Sequence, residues 1–393
     1  MAKPKINPVI LLAPDEDCYI AYDPALDRMH RLNPMAALLT ELCDGSRSVK
    51  EIAALAGPLM PDGQAGVIER WIADGLDAGL LVPAGRAKTR KLPAREAAQM
   101  ALRSALFSFR QLKQTERINA AWRDAKASVR RDPSDWDGWY AIGKIAHCLG
   151  RRAEARAAYR KYLAANPEDG EIEQVLIALE GGAPPPRASD QAVRRIYRKF
   201  AASYDSRMRR DLEYAAPERM AEAIGAMLGA RKGLTILDLG CGSGLSGLAV
   251  RKFADKLVGI DLSPEMLALA RAHKVYDRLE AAEITAWLAK TDMAFDLILS
   301  CDCLIYFGDL GPVLRAAALR LKPGGLIAIS VERGGDYPFL LADTGRYTHH
   351  PDHLREAAKA SGLIPTQMSE HFVRLEYGKP VTGLFAILRP ADG

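Results

Sequence analysis

The feature that most constrains the fold is a glycine-rich loop that follows an apolar run in the second half of the chain. Residues Leu234–Leu237 predict a buried strand, the loop Asp238-Leu-Gly-Cys-Gly-Ser-Gly244 follows it, and residues 245–253 have a helical pattern. Alternate glycines let the backbone turn sharply and bring its N–H groups close to a ligand that side chains would exclude. The loop therefore predicts an α/β domain with a ligand at the strand end, although nicotinamide enzymes use a similar turn, spaced Gly-x-Gly-x-x-Gly.

A second carboxylate, Asp261, lies 23 residues after Asp238 of the glycine-rich loop and makes the predicted ligand class more specific. The strand Lys256–Ile260 ends in Asp261, where a carboxylate can bind both hydroxyls of a ribose, and Ser263-Pro264 opens the next helix. Together the two motifs resemble those of class I S-adenosylmethionine-dependent methyltransferases. The resemblance implies a Rossmann-like domain with a seven-stranded sheet over residues 196–393, S-adenosylmethionine as cofactor, S-adenosylhomocysteine as product and no metal. It assigns the cofactor contacts to Asp238, Gly240, Cys241, Gly242, Gly244, Asp261, Leu262 and Met266.

Later motifs follow in the order of this family. By resemblance, Glu283 contacts the adenine amino group and Ile284 lies beside it, although a surface glutamate is the alternative. Cys301 follows the fourth strand and is implied to contact the cofactor. Tyr204 belongs to a lid segment that can cover the cofactor. Three further motifs resemble those of predicted methyltransferases that carry tetratricopeptide repeats: Asp302-x-x-x-Tyr306-x-Gly-Asp309, Ser330-Val-Glu332 and Gly345-Arg-Tyr-Thr-His349.

The catalytic candidates lie after the glycine-rich motif. Methyl transfer is an in-line displacement, so the protein must align the acceptor, and a base is needed only if the acceptor starts protonated. His349 or His350 could take that proton, Arg346 could hold a carboxylate, and Tyr347 completes this polar cluster. A capped loop or surface histidine is the structural alternative for each. Two residues of the earlier motif are equally plausible acceptor-positioning groups: Asp302 and Tyr306.

Residues 1–84 have the pattern of a small winged-helix-like α+β domain. Two short strands, 18–22 and 29–32, precede helices capped by Asn33 and Ser48. With the motifs Tyr22-Asp23, Leu42-Cys-Asp-Gly45 and Gly79-Leu-Leu81, the segment resembles the PqqD-like recognition elements of ribosomal peptide modification. That resemblance implies that a leader peptide adds to a strand edge, in a cleft formed by Met29, His30, Arg31, Leu32, Ile68, Trp71 and Ile72. A DNA-binding winged helix or a dimer contact is the alternative.

Residues 85–180 predict a helical segment that contains a repeat. Trp139, Gly143, Gly150, Ala155 and Tyr159 occur where a tetratricopeptide repeat ending at Pro167 requires them. We expect this segment to act as a spacer or to bind other maturation enzymes. Residues 181–195 are rich in proline and glycine and predict a semi-rigid linker.

Charge is distributed unevenly among these segments. Counting Lys and Arg against Asp and Glu gives 7 against 12 for residues 1–84, 24 against 13 for 85–200 and 23 against 24 for 201–393. The acidic first segment argues against nucleic acid as its partner; the basic middle could meet an acidic partner or nucleic acid, but Arg-rich helices are more often solvated faces. The six cysteines form no Cys-x-x-Cys pair, and no apolar run is long enough to span a membrane, so we expect a cytoplasmic protein without membrane attachment.

These observations predict a methyltransferase that modifies a ribosomally made precursor peptide at a carboxylate, a nitrogen or a hydroxyl. The fusion of a recognition domain to a catalytic domain would raise the local concentration of the peptide core. The alternative is a small-metabolite methyltransferase whose N-terminal domains serve oligomerisation, such as homodimer formation, or regulation. A scaffold with an inactive catalytic domain is the third possibility, and the intact glycines and both carboxylates argue against it.

Overall fold

A computed structural model of the chain describes residues 3–14, 18–59, 66–84, 93–201, 204–206, 208, 212–376 and 379–391. The chain divides into two compact units, Met1–Glu154 and Ala155–Gly393. Residues 85–92, where the helical segment was predicted to begin, lie outside the described residues, as do Ala202 and Ser203 of the predicted lid. None of the described helices is long and apolar enough to cross a membrane.

The first unit combines two small sheets with helices. Strands β2, β3 and β4 form one antiparallel sheet, in that order, and β1 pairs with β5 in the other. Asn33 and Ser48 cap the first two helices as predicted. The strands are β1 (Pro4–Ile6), β2 (Leu11–Pro14), β3 (Tyr19–Asp23), β4 (Arg28–Leu32) and β5 (Leu81–Pro83). The helices are α1 (Pro34–Leu42), α2 (Val49–Ala56), α3 (Val67–Asp77), α4 (Ala94–Leu112), α5 (Glu116–Arg131) and α6 (Trp136–Cys148).

The predicted peptide-binding residues fall into two groups. Met29, His30, Arg31 and Leu32 lie on β4, which in the described part of the unit pairs with β3 along one edge and with no strand along the other. Ile68 and Ile72 are instead buried in the core of α1, α2, α3 and β5, with Trp71 partly buried against it. These two isoleucines therefore do not line an open cleft, which corrects that part of the prediction. The winged-helix and tetratricopeptide assignments remain predictions.

The second unit is built on a sheet of nine described strands in place of the seven predicted. Its order is β11-β12-β10-β9-β6-β7-β8, and β14 pairs with both β10 and β13. The pairs among β6–β10 are parallel, whereas β14 runs antiparallel to β10 and to β13. The strands are β6 (Leu234–Leu239), β7 (Ala254–Asp261), β8 (Arg278–Ala281), β9 (Phe295–Ser300), β10 (Leu321–Arg333), β11 (Phe339–Leu341), β12 (Tyr347–His349), β13 (Leu363–Glu376) and β14 (Lys379–Pro390).

The two additional strands have a physical cause in the length of β10. That strand runs 13 residues and extends past the end of β9, whose last paired residue is Ser300. Glu332 and Arg333 pair there with β12, and β11 continues the sheet beyond β12. Because unpaired backbone groups of a buried strand are costly, the overhang is covered by a short hairpin that sequence periodicity did not reveal.

Two apolar cores lie on opposite faces of this sheet. Successive residues of β6 alternate between them: Ile236 packs with α11, whereas Leu237 packs with α14, α15 and α16. The unit is therefore a three-layer α/β structure, as the glycine motif predicted. Its helices are α7 (Arg152–Ala165), α8 (Gly170–Glu180), α9 (Asp190–Phe200), α10 (Tyr204–Ser206), α11 (Ala216–Leu228), α12 (Leu245–Val250), α13 (Pro264–Ala272), α14 (Ile284–Lys290), α15 (Gly311–Ala318) and α16 (Pro351–Lys359).

The segment predicted as a linker is bonded to the sheet unit. The Ala188 N–H donates to the Tyr306 carbonyl at 2.8 Å, and the Pro186 carbonyl accepts from Gly308 N at 2.8 Å. Ser189 then caps α9, which begins inside the predicted linker. Proline-rich sequence marks a break in helical structure, but here the extended backbone finds partners in the turn after β9. Residues 185–195 are thus part of the folded unit, and the break lies before them.

The crossing of α8 and α9 provides a test of this packing. A Cβ on Gly170 would overlap the backbone carbonyl of Ala192, which cannot move aside as a flexible side chain could. We expect Gly170→Ala to lower the free energy of unfolding by about 1–3 kcal/mol, the usual cost of overpacking. Gly335→Ala is the matched control, because no described atom lies within 4 Å of its added Cβ. Urea unfolding checks both variants, and equal midpoints would contradict the described crossing.

Candidate active site

The glycine loop is shaped by its attachment to the neighbouring strand. Gly240, Gly242 and Gly244 have φ angles of +70°, +55° and +96°, a region that L-residues rarely adopt. The N–H groups of Gly240 and Cys241 both donate to the Ile260 carbonyl, at 2.8 and 3.0 Å. A Cβ on Gly240 would overlap the Cys303 side chain, so this glycine is required by space as well as by φ. The loop therefore forms a cradle of backbone at the carboxyl end of the sheet, next to the start of α12.

Asp261 is fixed at the rim of this cradle. Its Oδ2 accepts from Gly242 N at 2.8 Å and its Oδ1 from Ser263 N at 2.8 Å. Burial raises the pKa of this carboxyl group, and the backbone donors act in the opposite direction. Each oxygen retains a lone pair beyond these bonds, so the group can accept from two hydroxyls of a ribose, as predicted.

Asp238 lies behind the loop and does not line the cavity. Its Oδ2 accepts from Ser246 Oγ at 2.6 Å and from Tyr276 OH at 2.7 Å, and burial raises its pKa to about 6. Gly244 and Met266, also predicted as cofactor contacts, are likewise absent from the cavity wall. Asp238 and Met266 are buried behind the loop, whereas Gly244 is its last residue and precedes α12.

A cavity of about 790 Å³, part of which is open solvent, lies over the loop. The fold brings eleven of the predicted site residues to its wall: Tyr204, Gly240, Cys241, Gly242, Asp261, Leu262, Glu283, Ile284, Cys301, Asp302 and Tyr306. Glu283 also caps α14, accepting from Thr285 N and Ala286 N, so this side chain is more than a surface glutamate.

Sequence reasoning found two tyrosines of the cavity wall, Tyr204 and Tyr306, but missed the other two, Tyr197 and Tyr214, which with them form an aromatic wall. Tyr197 of α9 lies with its ring centroid 6.0 Å from those of both Tyr204 and Tyr306, and Tyr214 lines the same cavity. Burial raises the pKa of all four phenols, so each remains protonated, and the Tyr214 hydroxyl donates to Cys301 Sγ at 3.8 Å. The helical spacing of α9 indicates an apolar face, and only the closeness of the chain segments shows that the face covers a cavity.

Asp302 stands at the end of β9 with a left-handed backbone, φ 54°. Its N–H donates to Ser330 Oγ at 2.8 Å, and both carboxylate oxygens accept from Nη1 of Arg374, at 2.9 and 2.8 Å. Arg374 also binds Glu332. A strained backbone that is fixed by several bonds is a common feature of functional positions. The motif Ser330-Val-Glu332 singles out Glu332 in the sequence, but Arg374 could not be found there, because nothing in the spacing of β10 and β13 links it to Asp302.

The four residues of the predicted catalytic cluster are engaged elsewhere and are absent from the cavity wall. Arg346 is ion-paired with Glu332 and Glu376, and Tyr347 OH donates to the Pro185 carbonyl at 2.7 Å. His349 Nε2 is paired with the Gly308 carbonyl at 3.2 Å, and His350 caps α16. The structure thereby corrects the prediction that this cluster faces the acceptor. Sequence proximity suggested a shared role, whereas each of these side chains is bonded to a partner from another part of the unit or caps a helix.

Comparisons with known proteins agree with this geometry. Residues 236–325 match a family described as "Methyltransferase domain". A ubiquinone biosynthesis O-methyltransferase from Bordetella avium is 28% identical over 185 residues, covering 42% of this chain and 75% of the relative. Another from Ralstonia nicotianae is 30% identical over 177 residues, covering 39% of this chain and 71% of the relative. This chain belongs to the class I S-adenosylmethionine-dependent methyltransferases.

Two further similarities complete the comparison. A malonyl-[acyl-carrier protein] O-methyltransferase from Pseudescherichia vulneris is 32% identical over 151 residues, covering 38% of the present methyltransferase and 57% of the relative. Among solved structures, the 1,6-didemethyltoxoflavin-N1-methyltransferase of Burkholderia thailandensis, with S-adenosylhomocysteine bound, matches with 23% identity and a TM-score of 0.41. The match covers 54% of this chain and 94% of that one.

The cofactor of this methyltransferase, S-adenosylmethionine, fits the residues at the cradle. Gly240 and Gly242 present backbone at the cavity wall with positive φ angles that L side chains rarely adopt, and Asp261 presents acceptor lone pairs at the rim. Glu283 and Ile284 stand on the same wall, where the adenine was predicted. Among the described residues, no group of three or more His, Cys, Asp or Glu side chains is arranged to hold a metal ion.

Replacing Asp261 tests the assignment of the ribose site. We expect Asp261→Ala to weaken S-adenosylmethionine binding roughly 10- to 100-fold, because hydrogen bonds to a charged group are each worth about 1.5–3 kcal/mol. Asp255→Ala is the matched control, since Asp255 lies on the same strand but is exposed. Calorimetry of both variants checks the prediction, and an unchanged affinity in Asp261→Ala would refute it.

The burial of His349 predicts a pH-dependent stability instead of a catalytic titration. Burial, and secondarily His353, lowers the pKa of His349 from 6.5 to about 4. Between these two values the unfolded chain binds more protons than the folded one, so stability falls as the pH decreases through this window, by roughly 3 kcal/mol for this group. We expect His349→Phe to flatten this dependence and His350→Asn, which keeps a capping side chain, to retain it. Urea unfolding at several pH values measures both, and identical slopes would contradict the assignment.

Proposed function

We propose that this methyltransferase acts on a small-molecule acceptor held between the glycine cradle and the aromatic wall. The observation that carries the proposal is the composition of that wall: Tyr197, Tyr204, Tyr214 and Tyr306 stand opposite the loop, with Arg187 and Ala188 of the preceding segment beside them. A cavity that several chain segments line suits a compact acceptor better than a long extended chain.

The relatives support the same substrate class. Those from Bordetella and Ralstonia are named for ubiquinone biosynthesis, and one from Tropheryma whipplei is named demethylmenaquinone methyltransferase. The acceptors in these names are small molecules, and the aromatic wall is suited to a planar acceptor, which can stack on tyrosine rings. We therefore infer that the alternative reading of the sequence, a small-metabolite methyltransferase, is the better one.

The chemistry divides between the cofactor and the chain. When bound, S-adenosylmethionine supplies an electrophilic methyl group on sulfur. The chain's task is to hold the acceptor atom in line with that methyl and to exclude water. Tyr204 and Tyr306 are buried donors on the wall, and Asp302 supplies a carboxylate between them and the loop. We assign acceptor positioning to these three residues.

Peptide modification is retained as the second candidate because of one observation in the first unit. Strand β4 presents an edge along which no described strand pairs, and an extended peptide can add to such an edge. In this proposal the first unit binds a leader peptide and the helices after it bind other maturation enzymes. In the small-molecule proposal the first unit serves regulation or assembly, such as homodimer formation.

A labelling experiment separates the two candidates. The full chain is incubated with S-adenosylmethionine tritiated on the methyl group and with an extract of the source cells divided into small-molecule and peptide fractions. We expect label in the small-molecule fraction, because the wall encloses the acceptor side of the cavity. Asp261→Ala at low cofactor concentration is the control for site-dependent transfer, and label confined to the peptide fraction would overturn the proposal in favour of the second candidate.

A further inference from the structure

A buried arginine from a distant strand holds the carboxylate that faces the acceptor. Arg374 lies on β13, 72 residues after Asp302, and its Nη1 contacts both carboxylate oxygens at 2.9 and 2.8 Å. The Arg374 side chain is 6% exposed and that of Asp302 is 10% exposed. This bidentate contact orients the carboxylate plane, while the remaining lone pairs stay available on the side that lines the cavity.

The pair belongs to a larger buried cluster with an excess of negative charge. Arg374 also contacts Glu332 and Glu376, and Arg346 contacts the same two glutamates. Counting Asp302, the cluster has three carboxylates and two guanidinium groups, which leaves a net charge of −1 when all are ionised. Burial raises the pKa of Asp302, with Arg374 acting against it. The pKa of Glu332 is lowered because its two arginines outweigh burial.

From this geometry we propose that Arg374 is a positioning residue that presents Asp302 to the acceptor as a hydrogen-bond acceptor and base. The acceptor is then a hydroxyl or an amine that carries a proton, and a carboxylate is rejected. The reason is electrostatic: a second anion beside a buried cluster of net charge −1 would be repelled, whereas an O–H or N–H group can donate to Asp302. This inference rests on the proposed function and specifies its substrate class.

The transfer balances with these groups alone. The acceptor O–H or N–H bond breaks and its proton moves to a carboxylate oxygen of Asp302. A bond forms between the acceptor atom and the methyl carbon, while sulfur keeps the electron pair of its broken bond to that carbon. Asp302 then releases the proton to solvent. Arg374 keeps its charge throughout, because nearby carboxylates raise its pKa further.

Several other titratable groups face Asp302, and each bears on its protonation. Glu332 opposes ionisation of Asp302, Arg346 favours it, and the phenols and thiols of the surrounding elements stay protonated because burial raises their pKa. These neighbours are Tyr204, Tyr214, Tyr306, Cys301 and Cys303. Removing Arg374 therefore leaves Asp302 with less stabilisation of its anion and raises its pKa.

The first test compares acceptors of one size and shape but different charge. Catechol, an aromatic amine and benzoate are offered to the wild-type enzyme with S-adenosylmethionine, and their binding to the S-adenosylhomocysteine complex is measured by saturation-transfer NMR. We expect catechol or the amine to bind and to be methylated in preference to benzoate. Asp302→Asn, which preserves shape and removes the charge, should reduce turnover of the protonated acceptors about 100-fold or more and strengthen benzoate binding.

The second test isolates the positioning role of Arg374. The acidic limb of kcat/KM against pH should move to higher pH in Arg374→Met and by less in Arg374→Lys, which restores a charge but lacks the planar guanidinium that contacts Asp302 and Glu332 together. Arg333→Met is the matched control, because Arg333 forms an exposed pair with Glu370 between β10 and β13 and should leave the limb unchanged. Circular dichroism shows that each variant folds. If Arg374→Met does not fold, the pH profile of Arg374→Lys and the turnover of Asp302→Asn decide whether Arg374 positions Asp302.

The outcomes separate this inference from the function on which it rests. If benzoate is the preferred acceptor, or if Asp302→Asn keeps full turnover with catechol, the inference is overturned while small-molecule methylation stands. An unchanged pH profile in folded Arg374 variants overturns the role of Arg374 alone. If no small molecule is methylated, the proposed function fails, and the binding measurements still decide the charge preference: equal binding of catechol and benzoate overturns it.

Discussion

The site depends first on the hydrogen bonds that tie the glycine loop to the next strand. One carbonyl, that of Ile260 at the end of β7, accepts from two successive N–H groups of the loop, and the following carboxylate, Asp261, reaches back to Gly242. The loop and the ribose-binding carboxylate are therefore fixed to each other as well as to the sheet. The carboxyl ends of parallel strands lie at the same edge of a sheet. The hydrogen bonds between the loop and β7 therefore also fix the distance from the cradle to the residues that follow β9.

The acceptor side rests on a different kind of interaction. Asp302, Arg374, Glu332, Arg346 and Glu376 form a buried charged cluster that replaces the purely apolar packing found elsewhere in the unit. Such clusters are poor sources of stability, since desolvation of the ions offsets their attraction. Their persistence in a buried position is better explained by orientation, because a charged network holds one side chain in one direction while an apolar contact would allow several.

Much of the cofactor half could be predicted from the sequence, whereas only part of the acceptor half could: Tyr204, Asp302 and Tyr306. The loop Gly240–Gly244 and Asp261 form contiguous motifs whose backbone requirements are local, and the structure places them together. The prediction for residues 346–350 relied on the same local reasoning and did not anticipate their partners from distant segments: Arg346 pairs with Glu332 and Glu376, Tyr347 with the Pro185 carbonyl and His349 with the Gly308 carbonyl. The aromatic wall and Arg374 come from separate elements, and no local pattern connects them.

The sequence by itself determined the strand–loop–helix pattern of the glycine motif, the backbone shape of the loop and the family to which the chain belongs. Each of these depends on residue type and spacing within a few residues: glycines that permit positive φ, and an apolar run that ends in a carboxylate. Only the tertiary structure decided that β10 extends past the end of β9 and pairs there with the β11–β12 hairpin. It also decided that residues 185–188 bond to the turn after β9 and that Arg374 contacts Asp302. These features depend on distances between segments far apart in the chain, which packing and burial set and which composition and periodicity do not encode.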